Sequence, residues 1–307
     1  MKKLICLGAL IGLLLGLGGC RSKMALDDKG NPRTLLIAIY EGDNPSEMST
    51  AMGHTRDYLS RKLGVPVEIQ KSSDYTSVIE AILAKKVHMA YLSPFPYILA
   101  TQKQRLVPLV SPGLNGKPFS YKSIIFTNPS TGLHSIDDVK ARSHDLTLCF
   151  SDPASTSGHL VPAAYLSSIG LDPKAAFKQS MFAGSHYASM LSVKSGKIDV
   201  GCSFNYSLEK MLREKMIAPG DIVVLWTSDP IIEGAIVMRA DINPEFTERV
   251  RDAFVRMNVD DTLAFRSYMN MYHPKQADSL EYLPVQDSDF NGLRAIMKGT
   301  DITTEKQ

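Results

Sequence analysis

The chain has 307 residues, with 34 Lys+Arg against 32 Asp+Glu. Cleaving off residues 1–19 would remove Lys2 and Lys3 and no acid, leaving 32 against 32, so there is no basic surplus of the kind that binding to nucleic acid requires. Roughly 280 residues beyond that point exceed one ordinary core, and two lobes are expected.

Met1-Lys2-Lys3 is a positive n-region, Leu4 to Gly19 is apolar, and Leu17-Gly18-Gly19-Cys20 sets small residues directly before a cysteine. The apolar stretch is shorter than the roughly 20 residues a membrane-spanning helix needs, so cleavage before Cys20 is expected, with an uncleaved or ordinary secretory signal as the alternative. The pattern resembles the bacterial lipobox, which implies acylation of Cys20. Several acyl chains hold a protein at a bilayer where a single chain is marginal. Residues 1–19 are therefore read as signal and 20–32 as a polar tether.

Short β-branched runs then alternate with helical periodicity, the pattern of α/β layers with mostly parallel sheets. Thr34–Tyr40, Val65–Lys71 and Val87–Leu92 read as strands, with helices near Ser46–Leu63, Tyr75–Lys85 and Pro94–Lys103. Asp74 is placed to cap the second of these helices. Leu106–Val110 and Ser123–Thr127 are further strands, separated by a turn-rich loop at Gly113–Pro118. The same grammar repeats through strand Leu146–Phe150, a helix ending at Ile169, strand Ser180–Ala183, helix His186–Lys194 and strand Ile198–Ser203. Asp221–Thr227 and Ala235–Arg239 are β-rich, and Pro244–Phe265 and the remainder read as helical. This order predicts a first lobe from 33–123 and 229–307, with a second, 124–228, inserted into it. Strands near Tyr121–Thr127 and Val224–Glu233 cross between the two, an arrangement that can close like a hinge over a ligand.

The run Leu146-Thr147-Leu148-Cys149-Phe150-Ser151-Asp152-Pro153-Ala154-Ser155-Thr156-Ser157-Gly158 is a buried strand, a tight turn, and a helix opening with three consecutive hydroxyls and a glycine. The first N–H groups of a helix have no intrahelical partner and lie at the positive end of its dipole, where an oxyanion collects several hydrogen bonds. Ser155, Thr156 and Ser157 can add O–H donors, and Gly158 would let oxygens approach the backbone. The competing reading is that one of the hydroxyls is only a helix cap.

Cys149 and Cys202 remain after Cys6 and Cys20 are assigned to the export segment. Both lie in apolar strand-like runs and are expected to be buried thiols, since a disulfide between neighbouring strands demands specific geometry. Neither has a metal-ligand partner at the required spacing, and no metal or cofactor is expected. Ser157 and His159 cannot act as nucleophile and base, because residues two apart on a helix point different ways and no Gly-x-Ser-x-Gly elbow is present. His88, His144 and His273 stand isolated, and Asp260-Asp261 reads as a solvated pair. An enzyme is not expected.

With these residues in view, the chain resembles the substrate-binding lipoproteins of phosphonate, phosphite and phosphate ABC importers. The likeness is carried by Ser155-Thr156-Ser157-Gly158 with Leu160-Val161-Pro162, by Asp74-Tyr75, by Gly184-Ser185-His186, by Lys62-Leu63-Gly64-Val65-Pro66-Val67 and by Trp226-Thr227-Ser228-Asp229-Pro230. It implies a type II periplasmic binding protein, with two α/β lobes on a two-strand hinge and a small phosphorus oxyanion in the cleft. It also implies a membrane permease as partner and a monomer as the working state. Carried over to this sequence, Ser155, Thr156 and Ser157 become the phosphoryl donors, Tyr75 and Tyr121 supply phenols, and His186 closes the ring. Tyr206, Asp229 and Ser93 are secondary candidates, with His186 or Asp229 proposed to accept a ligand proton and so exclude sulfate. Members that take aminoalkylphosphonates carry cleft carboxylates at positions that here read as Tyr206 and Gly234, which favours a ligand without an amine, although Glu233 lies one residue away. A sensor that presents the same anion to a membrane kinase or chemoreceptor would use the same binding chemistry.

Overall fold

A computed structural model describes residues 24–300; residues 1–19, expected to be a signal, and Cys20 lie outside the described residues. The chain enters through a turn in which Asp27 accepts the N–H groups of Lys29 and Asn31. Asn243 pins this turn, donating its side-chain amide to Lys29 O at 2.8 Å and its backbone N–H to Gly30 O at 3.0 Å.

The first lobe starts as β1 (Leu35–Tyr40), α1 (Pro45–Leu63), β2 (Val67–Ser72), α2 (Tyr75–Leu83), β3 (Met89–Leu92), α3 (Pro94–Lys103) and β4 (Leu106–Leu114). Caps fix the first two helix starts: Asn44 accepts from Glu47 N at 3.2 Å and Asp74 from Ser77 N at 2.7 Å. Pro45 and Pro94 take first-turn positions, where their missing N–H is no loss. The expected loop at 113–118 is a hairpin. β4 runs to Leu114 and pairs with β5 (Lys117–Pro118) across Asn115 and Gly116, whose φ values of 52° and 72° suit a tight two-residue turn.

β6 (Ser120–Tyr121) leads into the second lobe, formed by β7 (Ser123–Thr127), α4 (Ile136–Arg142), β8 (Thr147–Phe150), α5 (Val161–Ser168), β9 (Gln179–Phe182), α6 (His186–Lys194), β10 (Val200–Phe204), α7 (Asn205–Arg213) and β11 (Val223–Thr227). The chain returns through β12 (Ile231–Ile232) to β13 (Ala235–Arg239), α8 (Pro244–Val255), α9 (Met257–Asp260), α10 (Thr262–Tyr272), β14 (Leu280–Pro284) and α11 (Asn291–Lys298). β6 pairs with β12 and β7 with β11, both antiparallel. These two crossing strands are the hinge, cross-tied where Ser123 and Ser228 exchange hydrogen bonds at 2.9 Å.

The sheets run β14-β4-β13-β3-β1-β2 and β11-β7-β10-β8-β9. Only β3-β1-β2 and β10-β8-β9 are parallel; the strands that enter or leave a crossover are antiparallel, so the mostly parallel expectation is corrected to two mixed sheets. The all-helical expectation for the C-terminal part is corrected too. β14 alternates buried Leu280 and Tyr282 with outward Glu281 and Leu283, a period of two too short to stand out among helices.

One apolar cluster lies between the first sheet and α1, α8 and α10, and another on its opposite face with α2, α3 and α11. The second includes Leu160 and Val161 from the inserted lobe, so the lobes share packed surface beside the hinge. Cys149 and Cys202 are buried free thiols. Gly201, not Cys202, stands opposite Cys149, so the two thiols fall into clusters on opposite sheet faces, out of reach of one another.

Candidate functional site

The hydroxyl run starts where β8 ends, at the carboxyl end of a parallel strand. Asp152 organises the turn: its carboxylate accepts from Ala154 N at 2.7 Å and its carbonyl from Ser155 N at 3.0 Å. Thr156–Leu160 is then a single π-helical turn, with Leu160 N donating to Ser155 O and Val161 N to Thr156 O, before α5 continues. Pro162 accounts for the local register. Its missing N–H leaves the carbonyls of Gly158 and Ser157 without a helical donor, and these accept instead from Ser151 N at 3.0 Å and Ser123 Oγ at 2.7 Å.

The capping reading holds for Ser155, whose Oγ accepts from Gly158 N at 3.0 Å. Thr156 reaches further: its Oγ1 accepts from Phe95 N of the other lobe at 2.9 Å, where the α3 cap residue Ser93 makes no side-chain bond. Both hydroxyls thus have a lone pair occupied by a backbone donor, which leaves the O–H proton to donate. Gly158 has a different role from the one expected. A Cβ there would lie 1.6 Å from Ser151 Oγ, so glycine is required by packing within the turn.

These groups open onto one cavity of about 130 Å³ between the lobes, lined by Ser155, Thr156, Ser157 and His186 from the second lobe and by Tyr40, Tyr75, Ser93 and Tyr121 from the first lobe and hinge. His186 is buried, 3.5 Å from Ser155 Oγ through Nε2 and 3.0 Å from Ser203 Oγ through Nδ1. Burial lowers its pKa, against a smaller opposing pull from Asp43, and keeps the imidazole neutral. Tyr121 is raised, chiefly by burial and then by Glu233, while hydrogen bonding with Thr156 and Ser157 acts the other way. Tyr75 is raised by burial and stacks on Tyr40 with centroids 4.3 Å apart. Among the described residues no Lys or Arg lines the cavity, so an anion there would meet neutral dipoles.

Six sequence candidates and Ser93 therefore converge, but the other two secondary candidates do not. Asp229 is exposed beyond the hinge, and its backbone carbonyl accepts from Ser228. Tyr206 stands behind the lining, stacked on Phe119 and edge-on to His273. Sequence reasoning missed Asp43, Tyr91, Tyr268 and Tyr272, named Glu233 only as the acid one residue from Gly234, and read His273 as isolated; all six line the cavity. Glu233 accepts from Tyr91 Oη at 3.4 Å and Gly234 N at 3.3 Å, and burial pushes its pKa up to about 7. A carboxyl group is thus present after all, next to Gly234, where a Cβ would meet Leu92 O at 2.5 Å and no acid fits. Asp43 sits after β1, the strand-end position that binds ligands in such sheets, and this was the readable signal; the others come from a strand interior, the hinge return and α10.

The lobes meet across the cleft. Asp43 accepts from Tyr187 N at 2.9 Å, Arg213 donates to Met271 O at 3.1 Å, and Lys210 pairs with Glu47. Such a cleft, closed over a corner of hydroxyls, has a counterpart among known proteins. Residues 37–282 match the family described as "ABC transporter, phosphonate, periplasmic substrate-binding protein". The chain belongs to this family. It is accordingly a substrate-binding transporter component of the type II periplasmic fold and not an enzyme. It is 26% identical over 281 residues to the "Phosphate-import protein PhnD" of Mycolicibacterium smegmatis, covering 87% of this chain and 86% of that one. It is 28% identical over 201 residues to the "Phosphonates-binding periplasmic protein" of Escherichia coli, covering 64% and 58%. PhnD1 of Prochlorococcus marinus, solved with methylphosphonate, superposes with a TM-score of 0.76 at 19% identity, covering 87% and 98%.

Proposed function

We propose that the chain is the extracytoplasmic, lipid-anchored receptor of an ABC importer and binds phosphonate, phosphite or phosphate between its lobes. Ser155, Thr156 and Ser157 donate to the phosphoryl oxygens, with the N–H groups of the same turn behind them. Tyr75 and Tyr121 meet the anion from the first lobe and hinge, and neutral His186 accepts a proton from a protonated ligand, a contact sulfate cannot offer. The observation that carries this reading is the state of Ser155 and Thr156, whose oxygens accept from Gly158 N and Phe95 N and so keep their protons available to donate in the cavity. Every group involved comes from one chain, so a monomer suffices. The anchor is the acylated Cys20, for which Leu17-Gly18-Gly19-Cys20 is the basis.

Calorimetry of the full chain in detergent against phosphate, phosphite, methylphosphonate, 2-aminoethylphosphonate and sulfate tests the proposal. At least one phosphorus oxyanion binds and sulfate does not. Replacing Ser155 and Thr156 together by alanine weakens that binding more than about tenfold, roughly 1.4 kcal/mol. Unchanged affinity in the double variant contradicts the assignment. Mass spectrometry of the mature chain and of Cys20→Ser reports on the lipid.

A further inference from the structure

Of the stretch 20–32 expected to be a tether, residues 24–32 are folded onto the first lobe: Leu26 packs on its core cluster, and Asn243 holds the turn at Lys29 and Gly30. Four peptide links separate Cys20 from Met24, and fully extended they reach about 14 Å. A lipid on Cys20 would therefore keep the surface around this turn at the bilayer.

What that surface offers follows from its neighbours. Asp27, Asn31 and Arg33 line one groove with Leu63, Gly64 and Arg249, so the chain enters beside the C-terminal end of α1. There Arg61 reaches Asp261 at 2.6 Å, and Lys62 and Arg256 both reach Asp260, at 2.6 and 3.0 Å. Asp261 and Asp260 form the inner layer, 22% and 19% exposed, and Arg61, Lys62 and Arg256 the outer one, at 64%, 41% and 60%. Val259 and Leu263 flank the same acids in the chain and are 75% and 61% exposed, the two most exposed large hydrophobic side chains among the described residues. Single exposed apolar side chains are ordinary. Two of them, set among outward cations beside the root of an anchor, have the mixed apolar and basic composition of a surface that lies in a membrane interface.

Resting on the anchor reading above, we propose that this end of the first lobe docks on the bilayer, with Val259 and Leu263 in the interfacial layer and Arg61, Lys62 and Arg256 over anionic headgroups. α1 runs from here to Glu47 at the cleft, and its 19 residues hold the ligand mouth as much as about 28 Å off the lipid.

The full lipidated chain on phosphatidylcholine vesicles with about 30% phosphatidylglycerol tests this. Brominated lipids quench an indole that enters the interface. With Leu263→Trp the added emission is expected to fall at least about twofold. With Leu191→Trp, an exposed site on α6 of the second lobe, it is expected to stay. The native Trp226, also in the second lobe, is subtracted with the unsubstituted chain. Quenching of Leu263→Trp is expected to weaken on pure phosphatidylcholine and on adding Arg61→Gln, Lys62→Gln and Arg256→Gln together; unchanged quenching in both overturns the role given to the cations. No quenching of Leu263→Trp, or equal quenching at the two sites, in a chain whose Cys20 lipid is verified by mass spectrometry overturns the docking and leaves the anchor standing. A mature chain with no lipid on Cys20 overturns both.

Discussion

Thr156 Oγ1 and Phe95 N lie 2.9 Å apart and belong to opposite lobes, so the hydroxyl that faces the cavity also caps a helix of the other lobe. Closure and anion binding therefore draw on the same side chain. Thr156→Val keeps the shape but leaves the Phe95 N–H unpaired in the closed form, at about 1–3 kcal/mol. Binding weakens about tenfold or more in calorimetry, whereas Thr156→Ser stays within a few-fold of wild type. Equal losses in the two variants would show that the methyl, and not the hydroxyl, is what matters.

Lys210, 1% exposed, is held by Glu47 of the first lobe and lies 3.7 Å from Glu214 and 4.9 Å above the Tyr272 ring. A lysine this deep depends on its partners, and one-sided removal of a buried pair typically costs about 3–5 kcal/mol. Glu47 is 38% exposed, so it can return to water, and the loss falls on the closed form. Lys210→Met is expected to raise the ligand off-rate about tenfold or more for every ligand alike and to enlarge the ligand-free radius of gyration in X-ray scattering. A change in ligand ranking without a change in off-rate argues against a clasp.

Gly158 is fixed by Ser151, whose buried Oγ has no hydrogen-bond partner among the described residues. Gly158→Ala should lower stability by about 1–3 kcal/mol through overpacking. Adding Ser151→Gly vacates the space and restores most of the loss, as read from urea midpoints. No rescue would mean that the turn needs glycine for another reason.

Glu233 carries a pH signature. Burial lifts its pKa from 4.5 to about 7, so as pH rises through that window the unfolded chain gives up the proton before the folded one. Stability is full below the lower value, falls through the window and levels off above it. Glu233→Gln lacks this term. Its stability relative to wild type therefore rises between about pH 4.5 and 7.5, by up to about 3 kcal/mol. His88, depressed to about 4 by burial, titrates in both proteins and cancels; His273 Nε2 lies 3.9 Å from Glu233 Oε1, but burial holds its pKa at about 4, so its difference between the two proteins falls at the acid edge of the window. A pH-independent difference contradicts a buried, proton-holding Glu233.

Much of this was legible in the sequence because strands, caps and turns are local. Asp74, read as a cap, starts α2 as expected, and the Ser-Thr-Ser-Gly run marked the corner where the lobes meet. The π turn was not legible, since it depends on Pro162 releasing carbonyls that Ser123 and Ser151 satisfy from elsewhere. Nor was the inner part of the cavity. Ile37, Met89 and Phe254 read as ordinary core residues, and only the packing of α1 and α8 over the sheet reveals the space among them. His273, isolated in sequence, enters the lining because α10 ends beside the cleft, and its buried Nδ1 lacks a partner among the described residues.

A crystal structure of the full chain with methylphosphonate bound tests the central claim most directly. Phosphoryl oxygens are expected within about 3.2 Å of the Ser155, Thr156 or Ser157 hydroxyls and the N–H groups of that turn. A phosphorus atom seated elsewhere in the cleft, with the hydroxyl turn packed shut against α3, would contradict the account.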